Sequence, residues 1–214
     1  AGCATVPVTA ELGLFDDARV GAPSVRTDRA HLFELSPAMR RFLQQQLTGS
    51  IRLHGPRRGL FMALNEGGHL HIDYDASLTR TAAQAFEARA GNCLSLVVMT
   101  AAFARELELR VDYHSVHIEE VWSRSRNFVM LSGHVNLSLS HGIRDINQGV
   151  SRVGALIIDF IPIDDETRQR AVGLSEDTIV AMFMNNRAVE LMEQGDLNSA
   201  YAMLRTALKA DPSY

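Results

Sequence analysis

The chain has 214 residues, 46% of them hydrophobic, enough for one well-buried core with a small appendage. A formal net charge of −4 leaves no basic footprint, which argues against nucleic acid as the main partner. No apolar run is long enough to span a bilayer as a helix, and there is neither a low-complexity tract nor a glycine-rich phosphate loop.

In chain order, residues 4–23 read as unstructured. Ser36-Pro37 opens an amphipathic helix through Leu47, with serine as cap and proline at the first helical position. Residues 60–64 and 69–73 read as two arms of a hairpin turned by Asn65-Glu66-Gly67-Gly68. A helix is expected over residues 76–90. Gly91-Asn92 then breaks the chain, so that Cys93 begins a second, strongly apolar helix reaching Leu107. Residues 111–122 read as a strand. Residues 127–139 read as another, with strict alternation: Val129, Leu131, Gly133, Val135, Leu137 and Leu139 take the core face. His134, Asn136 and Ser138 take the opposite face, expected to be partly polar. Residues 153–163 form an apolar strand that carries one acid, Asp159. Two helices joined at Gly195-Asp196 close the chain, and Asp211-Pro212 ends the second. The fold class is α+β.

Three residues in this order carry chemistry. A thiol at a helix start feels the positive end of the dipole, beside the unpaired amides of the first turn. Both features favour a thiolate and offer donors to an oxyanion, as a cysteine nucleophile needs. The alternative is that Cys93 is a small buried apolar residue. A carboxylate inside an apolar strand costs several kcal/mol to bury unpaired, so Asp159 asks for a partner. A histidine on a neighbouring strand would serve; the alternative is a strand end that reaches solvent. Cys93, His134 and Asp159 thus make a candidate thiol triad. His69 and His71 share one face of their strand, while His114 and His117 face opposite ways. No third ligand of suitable spacing accompanies them, so neither a metal site nor a cofactor is expected.

The segment from about Tyr74 to Pro162 resembles the core of the transglutaminase-like superfamily, papain-like in fold. The resemblance rests on Thr79-Arg80-Thr81-Ala82 leading to Gly91-Asn92-Cys93-Leu94-Ser95, then Arg105-Glu106-Leu107-Glu108-Leu109-Arg110-Val111, Gly133-His134-Val135-Asn136 and Ile158-Asp159-Phe160. It implies a nucleophile at a helix N-terminus packed on an antiparallel sheet. Cys93 would be the nucleophile, His134 the general base and acid, and Asp159 the residue orienting the imidazole. The substrate implied is an amide bond of a protein or peptide, cleaved through a thioester. Water as acceptor gives a cysteine peptidase or amidase, the outcome favoured here; a lysine gives a crosslinking transglutaminase. The Cys93 amide would hold the oxyanion, with Asn92, Tyr74 and Trp122 as candidates for a second donor. Many relatives carry an aromatic residue where this chain has Asn136, which makes Asn136 a cleft candidate and leaves the acceptor side open.

The two ends resemble other signals. Ala1-Gly2-Cys3 resembles the tail of a bacterial lipobox, which implies a lipid on Cys3 and a periplasmic protein anchored to a membrane, the outer one by the identity of Ala4. With two cysteines in the chain, lipidation of Cys3 leaves Cys93 without a disulfide partner. Residues 181–214 resemble one tetratricopeptide repeat, with Ala188, Leu191, Gly195, Asp196, Ala200, Tyr201, Leu204, Ala207, Leu208 and Pro212 at the repeat's spacing. A single repeat cannot bury its own apolar face, so more repeats or a supporting surface are expected. The expected organisation is a tether over residues 1–25, a catalytic domain over 26–165, a linker over 166–180 and the repeat over 181–214. A catalytically inactive adaptor that binds a protein partner through the repeat is the reading from another class.

Overall fold

A computed structural model describes residues 15–65, 70–125, 128–140, 155–161 and 171–214, of which 65, 117–125 and 128–132 are described by backbone alone. Helix and sheet are mixed, compatible with the α+β expectation. Internal contacts divide the chain into two units, Leu32–Ser175 and Ala1–His31 with Glu176–Tyr214.

In the larger unit, a single helical turn α1 (Arg29–Leu32) leads in from the other unit, and α2 (Pro37–Phe42) follows. The Ser36 hydroxyl accepts from the Met39 N–H at 3.2 Å, as the Ser-Pro pair predicts. The chain continues through a π-turn over Leu43–Leu47 into α3 (Thr48–Asn65), which is interrupted at Gly55. Gly55 adopts φ 78°, where a side chain would be strained, and Pro56 restarts the helix behind it. The hairpin expected here is corrected: residues 60–64 are helical. Leu60, Ala63 and Leu64 are buried at helical spacing, so a core-facing stripe replaces the expected alternation. Residues 66–69 lie outside the described set. The strand expected at 69–73 reduces to β1 (Asp73–Tyr74), which pairs in parallel with β2 (Ala90–Gly91).

Between these two strands runs α4 (Ala82–Ala88), shorter than the helix expected over 76–90. Thr81 and Gln84 cap it reciprocally, side chain to backbone in both directions. After β2 comes α5 (Cys93–Glu106). Every residue from Leu94 to Ala104 is buried, so the helix is covered on all sides. Phe103 meets Phe42 and Phe86 with ring centroids 5.8 Å away in both cases, tying α5 to α2 and α4.

The sheet follows in the order β5-β4-β3-β6, antiparallel at every step. Its strands are β3 (Arg110–Ser125), β4 (Phe128–Ser140), β5 (Leu156–Ile158) and β6 (Val172–Leu174). A register shift in β3 between Val116 and Val121 sits beside the Val116–His134 pair. On β4, Val135, Leu137 and Leu139 are buried as the alternation predicts. On the other face, expected to be partly polar, His134, Asn136, Ser138 and Ser140 are buried as well. The strand expected over 153–163 is shorter, and Asp159 lies just past the end of β5. Within the stretch expected as a linker, β6 joins the sheet beside β3, and a helix begins at Glu176.

The smaller unit holds α6 (Glu176–Gln194) and α7 (Leu197–Ala210), joined at Gly195 with φ 82°. Asp196 caps α7 by accepting from the Ser199 N–H at 3.1 Å. Within the stretch expected as a tether, residues 17–24 bond to α7. Tyr201 donates to Asp17 at 2.9 Å, Gly21 N–H donates to Asn198 at 3.1 Å and Ser24 N–H to Ser199 at 2.8 Å. Arg29 pairs with Glu176 and Asp177 at the start of α6. Cys3 lies outside the described residues. Among the described residues no helix is long and apolar enough to cross a membrane.

Candidate active site

Cys93 is the first residue of α5, half-buried, with a free thiol. Asn92 stands before it in extended backbone, and its side-chain oxygen accepts from the Ser95 N–H at 2.9 Å and the Ser95 hydroxyl at 2.7 Å. Its amide nitrogen donates to Thr79 at 3.0 Å, and Ser95 Oγ accepts from the Arg80 N–H at 2.8 Å. The Asn92 side chain is therefore spent on holding the helix start, and the structure does not place it as an oxyanion donor. Thr79 and Ser95, which the resemblance includes without assigning a role, hold Asn92 in place. Ser95 at the third helical position after an asparagine was the available signal.

Tyr74, paired in register with Gly91, is 49% exposed. Its hydroxyl takes a backbone hydrogen bond from Cys93. Burial, and then the charge of Cys93, push the phenol above its ordinary range, with the Cys93 N–H pulling the other way. Of the residues expected as a second donor, Tyr74 is the one the described structure brings to Cys93. Trp122 lies on β3 beyond the register shift, and its side chain is outside the described set.

His134 and Asp159 meet with Nε2 2.7 Å from Oδ1, their side chains 1% and 4% exposed. The strand-end alternative for Asp159 is half right: the residue directly follows β5, but its carboxylate is buried and paired. The Ile161 N–H donates to Oδ1 at 3.0 Å and Asn136 Nδ2 to Oδ2 at 2.8 Å. Asn136 is therefore directed at the aspartate, not at an acceptor cleft. Burial alone would raise the Asp159 carboxyl; His134, Asn136 and the Ile161 amide outweigh it and hold the group below its ordinary range. Burial would likewise depress the imidazole, but the Asp159 bond and the neighbouring Cys93 thiol raise His134 to about 9. The His134 Nδ1 is buried without a hydrogen-bond partner among the described residues, so the thiol acts on it without closing a well-formed bond.

His71 Nε2 is 3.3 Å from Asp73 on an exposed surface, and His69 and the His117 side chain lie outside the described residues. Among the described residues no group of three His, Cys, Asp or Glu could hold a metal ion. No family model, no curated protein and no solved structure matches this chain.

Proposed function

We propose that this chain is a cysteine-dependent acyl-transfer enzyme acting on amide bonds of proteins or peptides, with water as acceptor, and that its larger unit is a papain/transglutaminase-like core. The observation that carries this reading is the buried His134–Asp159 pair whose raised imidazole adjoins a free thiol at the start of a buried helix. A buried ion pair is a costly way to stabilise a core, and charged groups with shifted proton affinities gather at catalytic sites.

The steps follow from these groups. His134 takes the Cys93 thiol proton on Nδ1, and the thiolate so formed attacks the amide carbonyl. A C–S bond forms, and the carbonyl electron pair moves to oxygen. The Cys93 N–H, a donor of the first turn that meets the Tyr74 hydroxyl at rest, turns to that oxyanion, and the hydroxyl donates to it as well. The intermediate collapses as His134 protonates the departing nitrogen, the C–N bond breaks and a thioester remains. His134, now neutral, takes a proton from water. The hydroxide carbon–oxygen bond replaces the C–S bond, releasing the acid and restoring the pair.

The lipobox-like Ala1-Gly2-Cys3 supports a periplasmic location with a lipid anchor on Cys3 as the membrane link. The α6–α7 pair supports a tetratricopeptide-type element for a protein partner, with Leu197 and Leu204 exposed on α7.

The test uses denatured, fluorescently labelled casein with Cys3 replaced by serine, in the presence and absence of dansylcadaverine. Cleavage that disappears with Cys93→Ala supports the proposal. Cleavage retained by Cys93→Ala overturns it, and dansylcadaverine incorporation without cleavage replaces hydrolysis by crosslinking.

A further inference from the structure

Asp159 offers two carboxylate oxygens and receives three donors. Oδ1 takes His134 Nε2 at 2.7 Å and the Ile161 N–H at 3.0 Å, while Oδ2 takes Asn136 Nδ2 at 2.8 Å. His134 and Asn136 are two apart on β4 and so project from one face of the strand; they are 1% and 3% exposed. We propose that Asn136 is a positioning residue, whose amide nitrogen holds Asp159 Oδ2 and so turns the carboxylate to present Oδ1 to the His134 ring.

The argument is geometric. Two of the three donors grip one oxygen, and a carboxylate held by one oxygen can rotate about its Cβ–Cγ bond. The Asn136 contact on the second oxygen stops that rotation and satisfies an atom that would otherwise be a buried, unpaired charge. Of its isosteres, leucine has no donor, and aspartate can serve only by keeping a proton between the two carboxyls. Its own Oδ1 is buried without a partner among the described residues, an arrangement that stability alone disfavours. A residue held there against that penalty fits a role in aligning the pair. The catalytic meaning of the role rests on the thiol chemistry proposed above, but the alignment itself does not.

The experiment therefore reads the imidazole and needs no substrate. The titration of the His134 ring is followed by NMR in the parent, Asn136→Leu, Asn136→Asp and Ser138→Ala, with His134→Gln to assign the signal. Ser138→Ala alters the same buried face two residues on and controls for general repacking. Asn136→Leu is expected to lower the His134 titration by about one pH unit or more, since burial then acts on a less well-held ring. In Asn136→Asp two carboxyls in contact share a proton, so a donor remains and the titration is expected to stay at or above the parent value. Ser138→Ala is expected to leave it unchanged. An unchanged titration in folded Asn136→Leu, or an equal fall in Asn136→Asp or Ser138→Ala, would overturn the proposal. Should Asn136→Leu not fold, Asn136→Ala removes the donor without added bulk and carries the same comparison. If the titration moves as expected while no amide is cleaved, the positioning role stands and the proposed activity falls.

Discussion

His134 Nε2 stands 2.7 Å from Asp159 Oδ1, with 1% and 4% of the two side chains exposed, so the pair works in a medium that hardly screens it. The two residues reach each other because β4 and β5 pair with Leu137 opposite Ile158, which carries Asp159 past the end of its strand beside the histidine. Water would have weakened this attraction to little more than a surface contact. Here it reverses the effect of burial on the imidazole.

Stability should therefore depend on pH in two places. The folded His134 titrates at about 9, above its ordinary 6.5, so its contribution is fully present below about 6.5 and lost as pH rises through 9. Asp159 is held below its ordinary 3.8, so its contribution is present above that value and lost as pH falls through the lowered one. Urea unfolding between pH 6.5 and 9.5 should show a loss on the order of 2 kcal/mol, absent in His134→Gln. Equal slopes in the two proteins would remove the pair as the cause.

Asp159→Asn keeps the shape of the side chain and removes the charge. His134 then remains buried with no carboxylate, and its titration should fall below 6.5. Turnover on casein should drop about 10³-fold or more, because a ring in the wrong protonation state neither holds nor delivers the proton. Steady-state kinetics and the NMR titration together check this. A lost turnover with an unchanged titration would place the role of Asp159 elsewhere.

How far the sequence could be read depended on how local the signal was. Ser36-Pro37 and Asn92 were legible because a cap is written within four residues of chain, and both accept the expected backbone N–H. The pairing of His134 with Asp159 was legible from the cost of an unpaired acid in an apolar strand. The stretch over residues 60–73 was misread: Leu60, Ala63 and Leu64 fit a helix, but a glycine-rich turn beyond them favoured a hairpin. The buried polar face of β4 was also missed, because alternation separates the two faces of a strand without saying what covers each. The direction of Asn136 could not be read at all, since it depends on where a third element ends.

Gly91 should not accept a side chain. A Cβ there would stand 2.8 Å from the Cβ of Ser95 and 3.2 Å from Leu96 Cδ2, in the first turn of α5. Gly91→Ala should cost about 1–3 kcal/mol in urea unfolding, since Ser95 is fixed by Asn92 and cannot move aside freely. The same displacement acts on the turn that carries Cys93, so slower alkylation by iodoacetamide is expected with it. A neutral effect on both would mean that the helix start gives way more easily than these contacts imply.

Arg89 offers a change in the opposite direction. It ends α4 with φ 50°, in the left-handed region, and its exposed side chain has no role in the site. Glycine occupies this conformation without the steric penalty of a Cβ. Arg89→Gly should raise stability by about 0.5–1 kcal/mol, measured as the shift in urea midpoint at constant slope, and should leave Cys93 alkylation unchanged. A loss of stability would mean that the arginine contributes more than its backbone strain costs.

Asn92 separates holding the helix from preparing the sulfur. Asn92→Ala removes the acceptor for Ser95 and the donor to Thr79, and should cost about 1–2 kcal/mol. Asn92→Asp keeps the acceptor and gains from the helix dipole, so its stability should fall much less, by the Thr79 bond alone. Yet it places a negative charge next to Cys93, which disfavours a thiolate. Alkylation of Cys93 at pH 7 should therefore slow by about threefold to tenfold in Asn92→Asp, although that variant is the more stable of the two. If alkylation instead follows stability through parent, Asp and Ala, the nucleophile responds to the order of its helix start and not to charge beside it.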